Sequence, residues 1–272
     1  PLCSAGAGRP PRGVTAPGRG GILTLEVFFA LARQVVPGLQ GAAGHGTGAG
    51  PKADAARLVA AMQAQHPEAG RAYWALRAWG LLVWQPVYAT VMAAELTEGI
   101  LPLAGLTLDV DPVAADVSGF AVAGQRLVPC AAAERRPRAA QQLQPVSEAL
   151  LQAVQACLPL HPKAARRLLA DCVLAALLRI QRWQGHVGNA TLLATGADWL
   201  ALLGAANESG YLEVHLPAAP PRLALDRRVC CLDDRRHGGS LCNTCPRLAR
   251  AERVRRLQAA SLAEASTHRS TA

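Results

Sequence analysis

The chain has 272 residues, and 51% of them are hydrophobic, so it can bury a substantial core as one large or two modest domains. This composition excludes a chain that stays disordered because it has too little apolar surface to bury. Aromatic residues make up only 4%, while Ala and Leu are abundant, which favours helices. The 28 Lys and Arg residues against 19 Asp and Glu give a formal charge of +9, which does not by itself distinguish a nucleic acid, an acidic protein or an anionic ligand as a partner.

Residues 1–21 are rich in Gly, Pro and Arg and lack periodicity, which predicts a flexible lead-in. They show no basic region followed by an apolar core, so no secretory signal is expected. The cysteines are therefore expected to stay reduced in the cytoplasm. The longest apolar stretch, residues 78–94, is interrupted by Gln85 and Pro86, and we expect no transmembrane segment.

Hydrophobic periodicity predicts helices over much of the remaining chain. The predicted helices cover residues 23–36, 54–65, 70–83, 87–96, 141–157, 161–183 and 187–203. Pro86 is expected to break or kink the chain between the third and the fourth of them. Residues 38–51 contain several glycines but follow no strand and lack a Gly-Lys-Ser/Thr ending, which predicts a linker rather than a phosphate loop.

Three short segments, 106–110, 117–120 and 126–128, are rich in β-forming residues and are separated by turn residues such as Pro112 and Gly124. They predict a small antiparallel sheet. The predicted fold class is therefore α+β and mainly α, a helical domain with a small antiparallel sheet.

Four of the eight cysteines lack a partner at the spacing of metal ligands. Cys172 shares a helical face with apolar residues at three- and four-residue spacing, and this pattern predicts a core position. That face consists of Ala165, Leu168, Leu169, Cys172, Ala176 and Ile180. Cys3, Cys130 and Cys157 are predicted to act as small buried hydrophobic side chains.

The other four cysteines, Cys230, Cys231, Cys242 and Cys245, lie within 16 positions. A disulfide between the adjacent pair is disfavoured, because neighbouring Cα atoms are about 3.8 Å apart, below the usual range for a bridge. Thiolate ligation explains the cluster better. Four thiolates suit either zinc or an iron–sulfur cluster.

The spacing favours an iron–sulfur cluster over zinc. Zinc ribbons use two separated Cys-x-x-Cys turns, and only Cys242–Cys245 has that form. Directing two adjacent side chains to one small ion requires a tight bend, which a larger binuclear centre relaxes. Gly238 and Gly239 would let the connecting loop fold closely over the sulfide core. The spacing matches neither of the common ferredoxin patterns.

The motif Cys-Cys-x10-Cys-x2-Cys near the C-terminus, with Gly-Gly in the long loop and a proline after the last cysteine, resembles that of the ferric-siderophore reductase (FhuF-like) family. The resemblance implies that all four cysteines are ligands of a 2Fe–2S cluster held in a C-terminal loop. Two upstream segments are loosely similar to segments of the family, namely Trp84-Gln85-Pro86 and Gly188-Asn189-Ala190.

The resemblance also implies an oxidoreductase that transfers one electron to a ferric hydroxamate-type siderophore and releases Fe(II) in the cytoplasm. Hard hydroxamate oxygens favour Fe³⁺ over Fe²⁺, so reduction loosens the chelate. An external ferredoxin or flavoprotein reductase would supply the electron, and no nucleic acid is expected as a partner. On this interpretation residues 22–220 form the helical substrate-binding region, 221–260 the cluster-binding region and 261–272 a tail.

Two other functions stay open on the residues alone. A zinc-stapled basic protein would use the Arg-rich helix after Cys245 to bind nucleic acid. An iron–sulfur sensor would report redox state to a partner. The Arg residues around the motif suit equally a solvated helix face and a docking surface for an acidic electron donor.

No catalytic residue is predicted beyond the cluster. Trp74, Trp79, Trp84 and Tyr88 recur at near-helical spacing, which favours core positions over contacts with a ligand. His237 and the charged run 233–236 are predicted to lie in a solvated loop.

Overall fold

The computed structural model describes residues 23–217 and 219–270. The predicted lead-in 1–21, with Cys3, and the last two residues of the predicted tail lie outside these ranges. Over the described ranges the chain forms seven helices: α1 (Leu25–Val35), α2 (Pro51–Gln65), α3 (Gly70–Leu96), α4 (Ala132–Cys157), α5 (Pro162–Gln184), α6 (Asn189–Leu202) and α7 (Arg250–Ser270). Short strands lie between some of these helices, and the prediction of a mainly helical α+β fold is confirmed.

The seven strands of the described chain form three small sheets. The strands are β1 (Gly41–Ala43), β2 (Gly99–Ile100), β3 (Thr107–Asp111), β4 (Asp116–Val122), β5 (Val128–Pro129), β6 (Tyr211–Leu216) and β7 (Ala219–Leu225). The predicted antiparallel pairing of the first two segments is confirmed in β3 and β4. The third predicted strand does not join them, because β5 pairs with β2. The hairpin of β6 and β7 was not predicted.

Helix α3 is the centre of the core. Every residue from Ala78 to Ala94 is buried, and α1, α2, α4 and α5 pack around the helix. The long apolar stretch is thus a buried helix of a layered domain. None of the helices in the described ranges combines the length and the apolar character needed to cross a membrane.

The predicted break at Pro86 is wrong, since α3 continues through this residue. A proline inside a helix removes one backbone hydrogen bond and costs about 3 kcal/mol. Burial of the surrounding apolar side chains outweighs this cost. The carbonyl that loses its helical donor is that of Leu82, four residues earlier, while Thr90 Oγ1 donates to the Pro86 carbonyl at 2.7 Å.

Gln85 is the one amide in the apolar stretch, and it ties α3 to the sheet. Its Oε1 accepts from Gln40 N at 2.8 Å, and its Nε2 donates to Val117 O at 2.9 Å. Both ends of this fully buried side chain are therefore satisfied, as buried amides require.

The prediction of a linker over residues 38–51 is also wrong. This stretch contains β1, which pairs in parallel with β4. Its glycines allow close packing: a Cβ at Gly41 would lie 2.2 Å from the Phe29 ring, and one at Gly48 would lie 2.6 Å from the Leu108 carbonyl oxygen. The glycine-rich composition of this segment therefore reflects close packing of its backbone against neighbouring residues rather than the flexibility of a linker.

Candidate metal centre

The cysteine loop lies between the β6–β7 hairpin and α7. Asp226 N donates to Gly210 O at 2.8 Å at the end of β7, and the loop then runs to the start of α7. A short 3₁₀ turn, Asp233–Arg235, packs against α3. The C-terminal segment is thereby attached to the central helix of the core.

Gly238 and Gly239 fold the loop back on this 3₁₀ turn. Gly239 N donates to Arg236 O at 2.9 Å, and a Cβ at Gly239 would lie 1.9 Å from Asp233 O. Gly238 has a φ of +70°, which favours glycine. The close contact of the Gly-Gly pair is therefore with the loop's own backbone.

The Cys230 thiol contacts two of the other motif cysteines. Its Sγ lies 3.5 Å from Cys245 Sγ and hydrogen-bonds the Cys231 side chain. Two thiolates on a tetrahedral ion with bonds of about 2.3 Å are about 3.8 Å apart. The Cys230–Cys245 separation is therefore close to that of two ligands of one ion.

Backbone geometry supports the same arrangement. Leu232 N donates to Cys230 Sγ at 3.4 Å, helped by the left-handed conformation of Leu232 at φ 59°. Cys245 N donates to Cys242 O at 3.0 Å, which closes the turn of the Cys-x-x-Cys segment. Backbone N–H groups that point at sulfur stabilise thiolate charge.

The Cys242 thiol contacts the side chains of Arg227 and Thr244. Its Sγ lies 3.8 Å from Arg227 Nη1 and 3.8 Å from Thr244 Oγ1. Within residues 23–217 and 219–270, no three Cys, His, Asp or Glu side chains are arranged to hold a single metal ion. The described geometry therefore joins Cys230 to Cys231 and Cys245 through side-chain contacts, and Cys242 to Cys245 through a backbone hydrogen bond, rather than forming a closed one-ion site.

The surroundings of the Cys230 thiol favour its neutral form. The hydrogen bond with Cys231, together with burial, raises the pKa of Cys230 far above its ordinary value. A bound metal ion favours the thiolate and reverses this balance. Four soft sulfurs, one close pair and an N–H directed at sulfur are a donor set that fits an iron–sulfur cluster or zinc.

A buried ion pair below the loop was missed by the sequence analysis. Arg227 Nε donates to Asp171 Oδ2 at 2.8 Å, and both side chains are only 3% exposed. Ser209 Oγ donates to the other carboxylate oxygen at 2.6 Å. Burial raises the pKa of Asp171, and Arg227 and Ser209 oppose that shift. The same Arg227 contacts Cys242, so α5 positions a cation beside a motif cysteine.

The sequence held one weak signal of this pair. Asp171 stands in the apolar run of α5, directly before Cys172, where a charged residue needs a buried partner. The partner is 56 positions away, and no local pattern indicates it.

Most arginines of the loop and of the first turns of α7 are internally paired. Arg236 pairs with Asp233, Arg247 with Asp234, Arg253 with Asp226, and Arg255 and Arg256 both pair with Glu252. The two arginines lower the pKa of Glu252 to about 2. Much of the local positive charge is therefore already neutralised.

The remaining predicted positions lie as follows. Cys172 and its whole helical face are buried, which confirms the predicted core stripe, and burial raises the pKa of the Cys172 thiol. Cys130 and Cys157 are half-buried and pack against the core. Trp79, Trp84 and Tyr88 are buried, as predicted, and Trp74 is half-buried. His237 is exposed, and its backbone N–H donates to Glu68.

Comparison with known proteins adds no assignment: no protein-family model matches the chain, and no solved structure matches it.

Proposed function

We propose that the chain is an iron–sulfur reductase in which Cys230, Cys231, Cys242 and Cys245 hold a 2Fe–2S cluster and one electron passes to a ferric siderophore. The observation that carries the proposal is the contact of Cys230 with both Cys231 and Cys245 in a loop fixed to the core. The resemblance of the cysteine spacing to the ferric-siderophore reductases adds the substrate class.

A bound cluster would supply reversible one-electron chemistry at this loop. The residues of the chain set its surroundings. Leu232 N–H and the Arg227 guanidinium face sulfur atoms of Cys230 and Cys242, and both favour the more negative, reduced charge state. Cys245 is buried, which limits access of water to that sulfur.

The overall reaction consumes one electron for each iron released. Fe³⁺ in a hydroxamate-type chelate gains the electron and becomes Fe²⁺, which hard oxygen ligands hold less tightly. A ferredoxin or flavoprotein reductase in the cytoplasm would return the electron to the protein. Within residues 23–217 and 219–270, no helix is long and apolar enough to span a membrane.

A zinc-stapled nucleic-acid-binding protein is the competing proposal. It requires arginines of α7 that are free to neutralise phosphates. Of the arginines around and within the first turns of α7, Arg247, Arg253, Arg255 and Arg256 are engaged in ion pairs with carboxylates. This pairing favours the reductase proposal over nucleic-acid binding.

The test is anaerobic purification followed by iron and sulfide analysis, absorption spectra and EPR of the reduced protein. We expect two irons and two sulfides per chain. Cys242→Ser should lose the cluster spectrum and the release of Fe²⁺ from a ferric hydroxamate, measured with a ferrous-ion trap and a chemical reductant. Cys130→Ser is the matched control and should keep both. A colourless protein with one zinc and no sulfide would refute the proposal.

Electron transfer to the chelate is tested separately from cluster binding. A protein that keeps the 2Fe–2S spectrum but does not accelerate Fe²⁺ release over reductant alone would be an iron–sulfur sensor rather than a reductase.

A further inference from the structure

The cysteine loop and the start of α7 carry an excess of positive charge. Residues 226–256 contain nine arginines and four carboxylates, a net charge of +5. Each of these carboxylates is already paired with at least one arginine, and the buried Arg227 is paired with Asp171. The remaining charge therefore belongs to the arginines that have no carboxylate of their own.

Three of these arginines, Arg228, Arg235 and Arg250, are exposed. In the part of the chain that the structure describes, residues 23–217 and 219–270, no carboxylate forms an ion pair with any of them. A partner molecule can therefore contact these three side chains without breaking an existing ion pair.

One ion pair brings two of the exposed arginines together. Arg253 Nη1 lies 2.6 Å from Asp226 Oδ1, which joins the start of the loop to the first turn of α7. Arg228 lies two residues after Asp226, and Arg250 lies one helical turn before Arg253. Consecutive Cα atoms are about 3.8 Å apart and a helical turn rises about 5.4 Å, so both arginines lie near the same ion pair.

A second ion pair brings the third exposed arginine to the motif cysteines. Arg247 Nη1 lies 2.5 Å from Asp234 Oδ2, and Arg235 directly follows Asp234 in the chain. The Arg247 side chain, which is 50% exposed, also hydrogen-bonds that of Cys230. The positive charge of the loop therefore reaches a motif cysteine at the protein surface.

We propose that Arg228, Arg235 and Arg250 form a docking surface for an acidic electron-transfer protein, which delivers its electron to the cysteine loop. The inference rests on the proposed function and names the chemical class of its electron donor. A donor must approach the redox group closely, and Cys230 and Cys242 are only half-buried. Electron-transfer encounters use small interfaces, below about 1,200 Å², in which complementary charge speeds association.

The small number of exposed arginines favours an acidic protein over a nucleic acid. A protein that holds DNA through about 6–10 phosphate contacts needs a long track of cations. Here three exposed arginines surround one loop, and the neighbouring arginines are bound to carboxylates of the chain. A compact cationic surface beside a candidate redox centre fits a transient protein partner.

Docking is tested by surface plasmon resonance with an immobilised acidic plant-type 2Fe–2S ferredoxin and the purified full chain. Between about 50 and 300 mM salt the association rate constant should fall at least about 10-fold, because salt screens the attraction. The triple variant Arg228→Gln/Arg235→Gln/Arg250→Gln should associate at least about 10-fold more slowly at the lower salt concentration and should lose most of the salt dependence.

The matched control removes three exposed cations from other elements, Lys52 at the start of α2, Arg126 before β5 and Arg138 in α4. Lys52→Gln/Arg126→Gln/Arg138→Gln has the same net charge as the triple variant and should keep most of the association rate of the unaltered chain. Both variants should unfold close to the midpoint of the unaltered chain, because substitutions of exposed side chains outside ion pairs change stability little.

Electron delivery is measured on the same proteins. The release of Fe²⁺ from a ferric hydroxamate is driven either by the reduced ferredoxin or by a small chemical reductant. The ratio of the first rate to the second should fall at least about 5-fold in the triple variant, because only the ferredoxin uses the docking surface. The control variant should keep the ratio of the unaltered chain.

Three results would overturn the inference: no binding of the ferredoxin, an association rate that the triple variant leaves unchanged, or an equal loss in the control variant. Tighter binding of a short DNA duplex than of the ferredoxin at the same salt concentration would also overturn it and would assign the surface to a nucleic acid.

Iron and sulfide analysis judges the proposed function separately. A chain that carries the cluster but binds the ferredoxin without these arginines would overturn the docking surface and leave the reductase proposal intact. A chain without a cluster that binds through these arginines would support the docking surface and refute the proposed function.

Discussion

The buried Arg227–Asp171 pair is the feature whose removal has the most definite expected effect. Arg227→Met keeps most of the side-chain volume but removes the guanidinium from a carboxylate 2.8 Å away. Both side chains are 3% exposed, so water does not replace the lost partner. Breaking a buried ion pair on one side costs about 3–5 kcal/mol.

The assay is thermal unfolding followed by circular dichroism under anaerobic conditions. For a chain of this size each kcal/mol shifts the midpoint by about 2–4 °C, so we expect a decrease of about 6–20 °C. Arg255→Met removes an arginine from a surface pair whose side chain is 70% exposed, and it should shift the midpoint very little. The double variant Arg227→Met/Asp171→Asn should be more stable than Arg227→Met alone, because the uncompensated charge is gone.

The loss should also depend on pH. Burial raises the pKa of Asp171 even beside Arg227, and loss of the cation raises it further. A carboxyl group with a raised folded-state pKa binds its proton more tightly when folded, so stability falls as pH rises above the ordinary carboxyl pKa of about 4. The deficit of Arg227→Met should therefore be smallest at the lowest pH at which the chain is folded. A variant as stable as the unaltered chain at every pH, or a double variant less stable than Arg227→Met, would refute this reasoning.

Three further predictions concern the loop, the core and the last helix. Gly239→Ala places a Cβ against Asp233 O and should abolish the proposed cluster absorption. Gly238→Ala meets no atom within 4 Å and costs only the backbone strain of an alanine at φ +70°, about 1–2 kcal/mol, so it should lose less of the absorption. Gln85→Leu leaves the Gln40 N–H and the Val117 carbonyl without their side-chain partner and should lower the free energy of unfolding by about 2–6 kcal/mol. The unfolding midpoint should fall, with no change in the cysteine chemistry. The pKa of Glu252 is lowered from 4.5 to about 2, so its ionised carboxylate stabilises α7 fully above pH 4.5 and this stabilisation is lost as the pH falls towards 2. Glu252→Gln should therefore flatten the pH dependence of unfolding in that interval.

Local sequence patterns predicted helices best where one apolar face repeats at helical spacing. The face of α5 that contains Cys172 is buried as its spacing indicates. Local patterns failed at Pro86 and at residues 38–51, where tertiary contacts decide the structure. Pro86 is kept in a helix by the packing of α3, and Gly41 lies in a strand because only glycine fits beside Phe29.

The candidate metal centre shows the same difference between what local sequence patterns predict and what tertiary contacts decide. The spacing of the four cysteines predicts thiolate ligation from the sequence alone, because the spacing of metal ligands is a local property of the sequence. The structure places Cys230 beside Cys245 and closes a turn at Cys242, and thiolate ligation stays a prediction. What the spacing could not indicate is how the core supports the loop, because Asp171 on α5 reaches Arg227 only through the packing of the core.

These contacts between the helical core and the loop explain why the loop follows a complete helical domain rather than standing alone as a small metal-binding module. The loop has few apolar residues of its own, and it gains a fixed position from one buried ion pair below it and from the 3₁₀ turn against α3. The proposed cluster would need fixed surroundings, because the energy of its charged state depends on nearby dipoles and cations. The helical domain therefore contributes the rigid support for the cysteines, through Asp171 on α5 and through the face of α3 against which the 3₁₀ turn packs.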